Sequence, residues 1–229
     1  VELWCNKFSG LNELEYILSL DSDDARNYMQ VVAEIAGYFP IRVLVNQNRS
    51  VVDAMNNGAE ISTGDVLLYV SDDFECPLHW DLEIQKRVRK SNKDGQWVLE
   101  VNDGIQPSYD NSIQTILILS RGYYESAGYL YYPEYISVWG DNDFTQRARL
   151  MGVNIPAWDL VFKHNHYSIG GLPHDDTYRR ENSPKAYQHG EAVYRRREKD
   201  HFGVEGLQCS GGITGQQKKK GRRSAQVPG

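Results

Sequence analysis

The chain has 229 residues, enough for one sizeable core or two small ones, and its 40% hydrophobic and 24% charged content is ordinary for a soluble globular protein. No apolar run approaches a transmembrane length, and no signal segment opens the chain. The formal charge of −6 conceals an asymmetry: Lys218, Lys219, Lys220, Arg222 and Arg223 lie in an acid-free tail, and 25 basic residues less those five leaves 20 against 31 acidic, or −11, which excludes general nucleic-acid binding by the body.

Cys5, Cys76 and Cys209 are odd in number and widely spaced, so the expected setting is a reducing cytoplasm. Fifteen Tyr and five Trp are many for this length. Core packing accounts for most such aromatics, and carbohydrate or base sites use the rest.

In chain order, residues 1–14 read as a helix leading into a strand at Tyr16–Leu20, which ends in Asp21-Ser22-Asp23-Asp24. A helix over 25–37 follows, with Met29, Val32, Ala33, Ile35 and Ala36 approximating one face. Arg42–Val45 is a short strand ending at Asn46, and a helix over 50–61 leads through Thr63-Gly64-Asp65 to a Val66–Val70 strand. Residues 80–90 form an amphipathic helix; Trp97–Val101 and Gln114–Leu119 are strands; Arg121–Ala127 is a short helix before the 128–135 loop. Gly140 opens another helix, which Gly152 ends. Val161–His166 reads as a strand, 168–183 as a lid loop and Tyr187–Lys199 as a charged helix. Alternating helices and strands predict an α/β sheet, with 1–205 as one domain and 206–229 as a disordered basic tail.

Two adjacent carboxylates, Asp72 and Asp73, close the apolar run Val66–Val70. Side by side at a strand end they are costly unless something pairs with them, and a hard divalent cation does so well. Ligands of open α/β sheets bind outside the carboxyl ends of strands. Three successive strands here end in Asp or Asn, so one polar rim is expected there. An Asp-rich turn or helix cap is the plainer reading of the same residues.

The stretch 46–77, NQNRSVVDAMNNGAEISTGDVLLYVSDDFECP, resembles the core of GT-A glycosyltransferases of the inverting, family-2, nucleotide-sugar-dependent type. The asparagine-bearing helix supplies Asn56, the small-Gly-Asp step is Thr63-Gly64-Asp65, and the Asp-x-Asp-type motif is Ser71-Asp72-Asp73, with Ser71 in place of the first acid. Residues 118–152 are similar to the family's second half: an Arg-bearing short helix, a Gly-aromatic turn, then an acidic pair opening a helix that carries an Arg. Asp141 falls on the family's general base, and Asp143 and Arg147 on the following Asp and Arg. The glutamate that precedes the base in the family is Gly140 here, which leaves Asp141 and Asp143 as alternatives for the base. The usual first strand and its nucleotide-contacting turn have no counterpart in the chain.

The resemblance implies an α/β GT-A, Rossmann-like mixed sheet flanked by helices, with a nucleotide-binding part about 1–77 and an acceptor side about 78–205. It implies a nucleotide-sugar donor, here a UDP-sugar, a saccharide or other hydroxyl acceptor, and Mn²⁺ or Mg²⁺. Asp73 is then a metal ligand, joined by His164 or His166. Asp72 contacts donor ribose or sugar, and Asp21 and Asp23 the base and ribose. Arg49 reaches phosphate, and Asn56 belongs to the donor side. The competing readings are a sugar-phosphate nucleotidyltransferase, whose Gly-rich phosphate loop is not visible, and a non-catalytic nucleotide- or glycan-binding module.

Overall fold

The computed structural model describes residues 2–22, 28, 32–33, 36–37, 40–71, 73–166 and 176–205. β1 (Tyr16–Asp21) and β2 (Ile41–Asn46) pair in parallel, with Asp21 and Asn46 as register partners at their carboxyl ends. α2 (Val51–Ile61) follows; α1 is Glu2–Asn6. The Ser50 hydroxyl accepts from the Asp53 N–H and caps α2.

β3 (Val66–Tyr69), β5 (Val98–Asn102), β6 (Leu117–Ser120) and β7 (Asn154–Val161) form a four-stranded sheet in the order β3-β6-β5-β7. β3/β6 and β6/β5 run antiparallel, and β5/β7 parallel. β4 (Phe74–Glu75) and β8 (Lys163–His164) make a separate antiparallel clamp. The helices are α3 (Trp80–Ser91), α4 (Arg121–Ala127), α5 (Gly140–Leu150), α6 (Asp176–Glu181) and α7 (Pro184–Lys199).

Side chains alternate across a strand, and both faces of the four-stranded sheet are covered. On one face Leu67, Val98, Leu117 and Leu119 pack with Val52, Met55 and Ala59 of α2, Phe144 of α5 and Val193 of α7. On the other, Leu99, Val101, Ile116 and Ile118 pack with Trp80 and Ile84 of α3 and with Phe162. No described helix is long and apolar enough to cross a membrane.

Several expected boundaries move. The helix expected over 1–14 stops at Asn6, because the Asp81 carboxylate captures the Ser9 N–H (3.0 Å), the Ser9 hydroxyl and the Asn12 amide (2.8 Å) in an irregular loop. The strand expected over 161–166 is two pieces. β7 arrives earlier, over Asn154–Val161, and Phe162 breaks it from β8. Part of the expected lid is helical, as α6, while 167–175 lie outside the described residues. So do most of the expected 25–37 helix and all of 206–229.

Candidate active site

At the carboxyl end of β1, Asp21 Oδ1 accepts from the Asn48 amide at 2.6 Å, and Asn48 Oδ1 accepts from Asn57 at 2.9 Å. These bonds tie the strand end to α2. Asp23 lies outside the described residues. Arg49 forms a bidentate pair with Asp53, at 2.7 and 2.8 Å, with its own side chain 81% exposed. Asn56, expected on the donor side, is bonded to the loop that precedes α5. Its Oδ1 accepts from the Leu130 and Tyr131 N–H groups at 2.8 and 3.1 Å, and its Nδ2 donates to the Tyr131 carbonyl at 2.8 Å. It fixes the 130–131 loop to α2 with its oxygen and one of its two amide hydrogens.

Asp73 and His164 are 91 residues apart and meet because β4 and β8 place Phe74 opposite His164. His164 Nε2 stands 2.9 Å from Asp73 Oδ2, and its ring stacks on Phe74 at 4.1 Å. The Ser71 hydroxyl donates to Asp73 Oδ1 at 2.5 Å, and the Asn165 N–H to the Asp73 carbonyl at 2.8 Å. Burial alone would raise the Asp73 carboxyl, but the His164 and Ser71 bonds hold it below its ordinary value. His166 places its ring 5.0 Å from that of His164, edge to face. Burial, then the neighbouring His164, lowers its pKa.

This donor set fits a divalent cation in chemistry. A carboxylate oxygen and an imidazole nitrogen converge, and their separation matches the ~3 Å between adjacent ligands of an octahedron with bonds of about 2.1 Å. Among the described residues no third His, Cys, Asp or Glu completes a metal set, and Asp72 lies outside them.

The two acids of α5 sit in opposite environments. Asp143 is 2% exposed; its Oδ2 accepts from Arg197 Nε at 3.0 Å and from the Tyr135 hydroxyl at 3.1 Å. Burial raises its pKa against the pull of Arg197. Asp141 is only partly buried, and its Oδ1 accepts from the Asn142 N–H (2.8 Å) and amide (3.0 Å). Among the described residues no cation pairs with it, and desolvation raises its pKa against those two bonds. The Tyr131 ring lies against Gly140, where an added Cβ would come within 3.2 Å of it. Tyr131 also packs edge to face on Tyr69, at the end of β3, with ring centroids 6.5 Å apart. Two aromatic rings thus run from the start of α5 to the strand that leads into Asp73.

Sequence reasoning missed Arg197, which sits in the run Arg195-Arg196-Arg197 and reads there as a solvated face; the structure buries it to 6% exposure. It also missed Trp139, whose signal is conformational rather than compositional.

A mixed sheet flanked by helices, with acids at its strand ends, is the architecture of the GT-A fold. The chain belongs to glycosyl transferase family 2, whose family model matches residues 8–156. Among solved structures it is similar to the mannosyltransferase PcManGT from Pyrobaculum calidifontis in complex with GDP-Man and Mn²⁺, at 11% identity and a TM-score of 0.47. That alignment covers 82% of this chain and 66% of the other, so this chain spans just under two thirds of that protein's length. No curated protein sequence matches the chain.

Proposed function

We propose that the chain transfers a sugar from a nucleotide-diphosphate donor, a UDP-sugar, to an acceptor hydroxyl with inversion, and that it does so with a divalent cation. The observation that carries this reading is the Asp73–His164 contact, which the β4–β8 clamp assembles across 91 residues at the end of the sheet. Asp73 and His164 would hold the cation, with His166 beside them. Bound there, Mn²⁺ or Mg²⁺ supplies positive charge to the diphosphate as it leaves. Asp21 faces the donor's base and ribose, with Asp23, Asp72 and Arg49 assigned to the same side by the family resemblance.

Asp141 is the base in this reading, and Asp143, held by Arg197, supports the helix that carries it. A partly exposed carboxylate with no cation paired to it among the described residues, its proton affinity raised by desolvation, is suited to accept a proton. Asp141 removes the proton of the acceptor hydroxyl while that oxygen bonds to the anomeric carbon. The bond from that carbon to the diphosphate oxygen breaks on the opposite face, and one displacement inverts the centre. The catalytic unit is residues 1–205. The odd number and wide spacing of Cys5, Cys76 and Cys209 support a cytoplasmic setting.

The test is thermal stability with UDP or GDP, with Mn²⁺ or Mg²⁺, and with EDTA, followed by nucleotide release from a panel of UDP- and GDP-hexoses. A ligand that binds only the native site raises the melting temperature. The expected result is a metal-dependent shift and slow donor hydrolysis. No shift with any nucleoside diphosphate refutes the reading; a shift without hydrolysis replaces it with a non-catalytic binding module.

A further inference from the structure

We infer that α7, beyond the residues that the family model covers, sets the position of Asp141 by wedging Trp139, with Gly190 and Trp139 as positioning residues. The inference rests on the proposed role of Asp141.

Trp139 is the residue before α5 and has φ 76° and ψ −12°, the left-handed region. A bulky side chain adopts that conformation only when its surroundings impose it. Its carbonyl accepts the first helical bond, from the Asp143 N–H at 3.1 Å, so the rotation of this residue sets where α5 begins. One wall of the wedge is α7. A Cβ on Gly190 would stand 2.7 Å from Trp139 Cδ1 and 2.7 Å from the Val138 carbonyl oxygen, and the second of these is backbone. Tyr194, one turn on, packs its ring on the Trp139 indole at 5.1 Å. A second wall is the Tyr131 ring, against Gly140.

The sequence records the constraint. Glycine is the poorest helix former after proline, yet Gly190 sits in the middle of the 16-residue helix α7. Nearby bonds hold α7 over the same loop: Arg196 to Glu134 at 2.5 Å and His189 Nε2 to the Glu134 carbonyl at 2.8 Å. Two missing side chains, Gly140 and Gly190, therefore let the Trp139–Gly140 step fit between a loop and a helix, and Asp141 is the next residue.

Gly190→Ala must push the Val138–Trp139 backbone aside. The expected result is a fall of about 100-fold in nucleotide release from the hydrolysed donor, since a displacement near 1 Å costs about that much. Mn²⁺–nucleotide affinity, read by calorimetry, stays within twofold, and amide exchange of the 138–147 segment quickens. In a Trp139→Gly background only the Val138 carbonyl is left to meet the new Cβ, and the backbone at 139, freed of its indole, takes up the displacement without turning α5, so Gly190→Ala is expected to cost clearly less there than in the parent; this second pair serves if Gly190→Ala alone folds poorly. Full release by Gly190→Ala, while Asp141→Asn abolishes it, overturns the inference and leaves the base assignment standing. Equal losses in both backgrounds overturn it too, because Gly190 would then act by another route. Turnover surviving in Asp141→Asn removes the base assignment and with it the inference.

Discussion

Arg197→Met is the most informative stability experiment on this molecule. Arg197 and Asp143 have side chains 7% and 2% exposed, with contacts of 3.0 and 3.4 Å, so neither charge can turn to water when the other is removed. The guanidinium also donates to the Phe202 carbonyl at 2.6 Å and to the Tyr129 hydroxyl at 3.1 Å, and lies over the Tyr132 ring at 4.1 Å. Truncating one member of a buried pair costs about 3–5 kcal/mol, through the charge left behind. For a domain of this size that is roughly 6–20 °C in melting temperature. The loss has a defined pH dependence. In the native protein burial already raises the Asp143 carboxyl above its ordinary value of 3.8, against the pull of Arg197. Without Arg197 it rises further. The folded variant then holds a proton in a window where the unfolded chain has lost it, so its stability falls as pH rises through that window and recovers as pH is lowered into it. Urea unfolding at pH 7.5 and pH 5 is the assay. A loss equal at both pH values, or an Arg197→Met/Asp143→Asn double variant no more stable than Arg197→Met, refutes the reasoning.

Asp141→Asn is expected to lower transfer by about 10²- to 10⁴-fold while calorimetry finds donor affinity unchanged, because the amide keeps the shape but takes no proton. The rate of the unaltered enzyme should climb with pH through a midpoint above the ordinary Asp value of 3.8, since desolvation raises this carboxyl; a rate independent of Asp141 places the base elsewhere. Asp73→Asn should abolish the metal-dependent melting shift, and a shift that survives EDTA-sensitive in this variant would remove Asp73 from the metal site. Asn56→Ala, which frees two N–H groups and a carbonyl of residues 130–131, should cost about 1–3 kcal/mol in urea unfolding; a neutral result would mean that water replaces the amide.

Much of the architecture is legible in the sequence, because local chemistry decides it. Ser50 caps α2 and Ser120 caps α4, and the apolar runs at 66–69 and 117–120 become the paired strands β3 and β6. β7 was not legible, since Pro156 reads as a breaker. It stands opposite Glu100 in a strand that, among the described residues, pairs with β5 alone, and an edge strand tolerates the missing N–H. The irregular path after Asn6 was not legible either, because its cause is Asp81, about 70 residues away. The same holds in the candidate site. Asp141 and Asp143 are indistinguishable as acids in the first turn of a helix, and Arg197, 54 residues from Asp143, separates them together with Tyr135. Asn56 and its loop are 74 and 75 residues apart, so the sequence shows the amide but not the bonds that occupy it.

Val98 and Leu99 are neighbours in the chain but belong to opposite cores, as do Ile118 and Leu119, and all four are fully buried. Neither core can melt without tearing a strand out of the other, so this slab is one cooperative block. The β1–β2 pair shares no ladder with it, exposes Val43 and Val45, and meets α2 across Gly58, where an added Cβ would lie 3.7 Å from Ile17. The Glu15 carboxylate at Thr63 and Gly64 and the Asn48–Asn57 bond hold this layer to the block, and its opening would break none of the block's own ladder bonds. On the proposed assignment Asp21 rides on that layer and Asp73 on the block. Donor affinity is then scaled by the fraction of molecules in which the layer is seated, and a substitution that glues β1–β2 down tightens the donor without touching it.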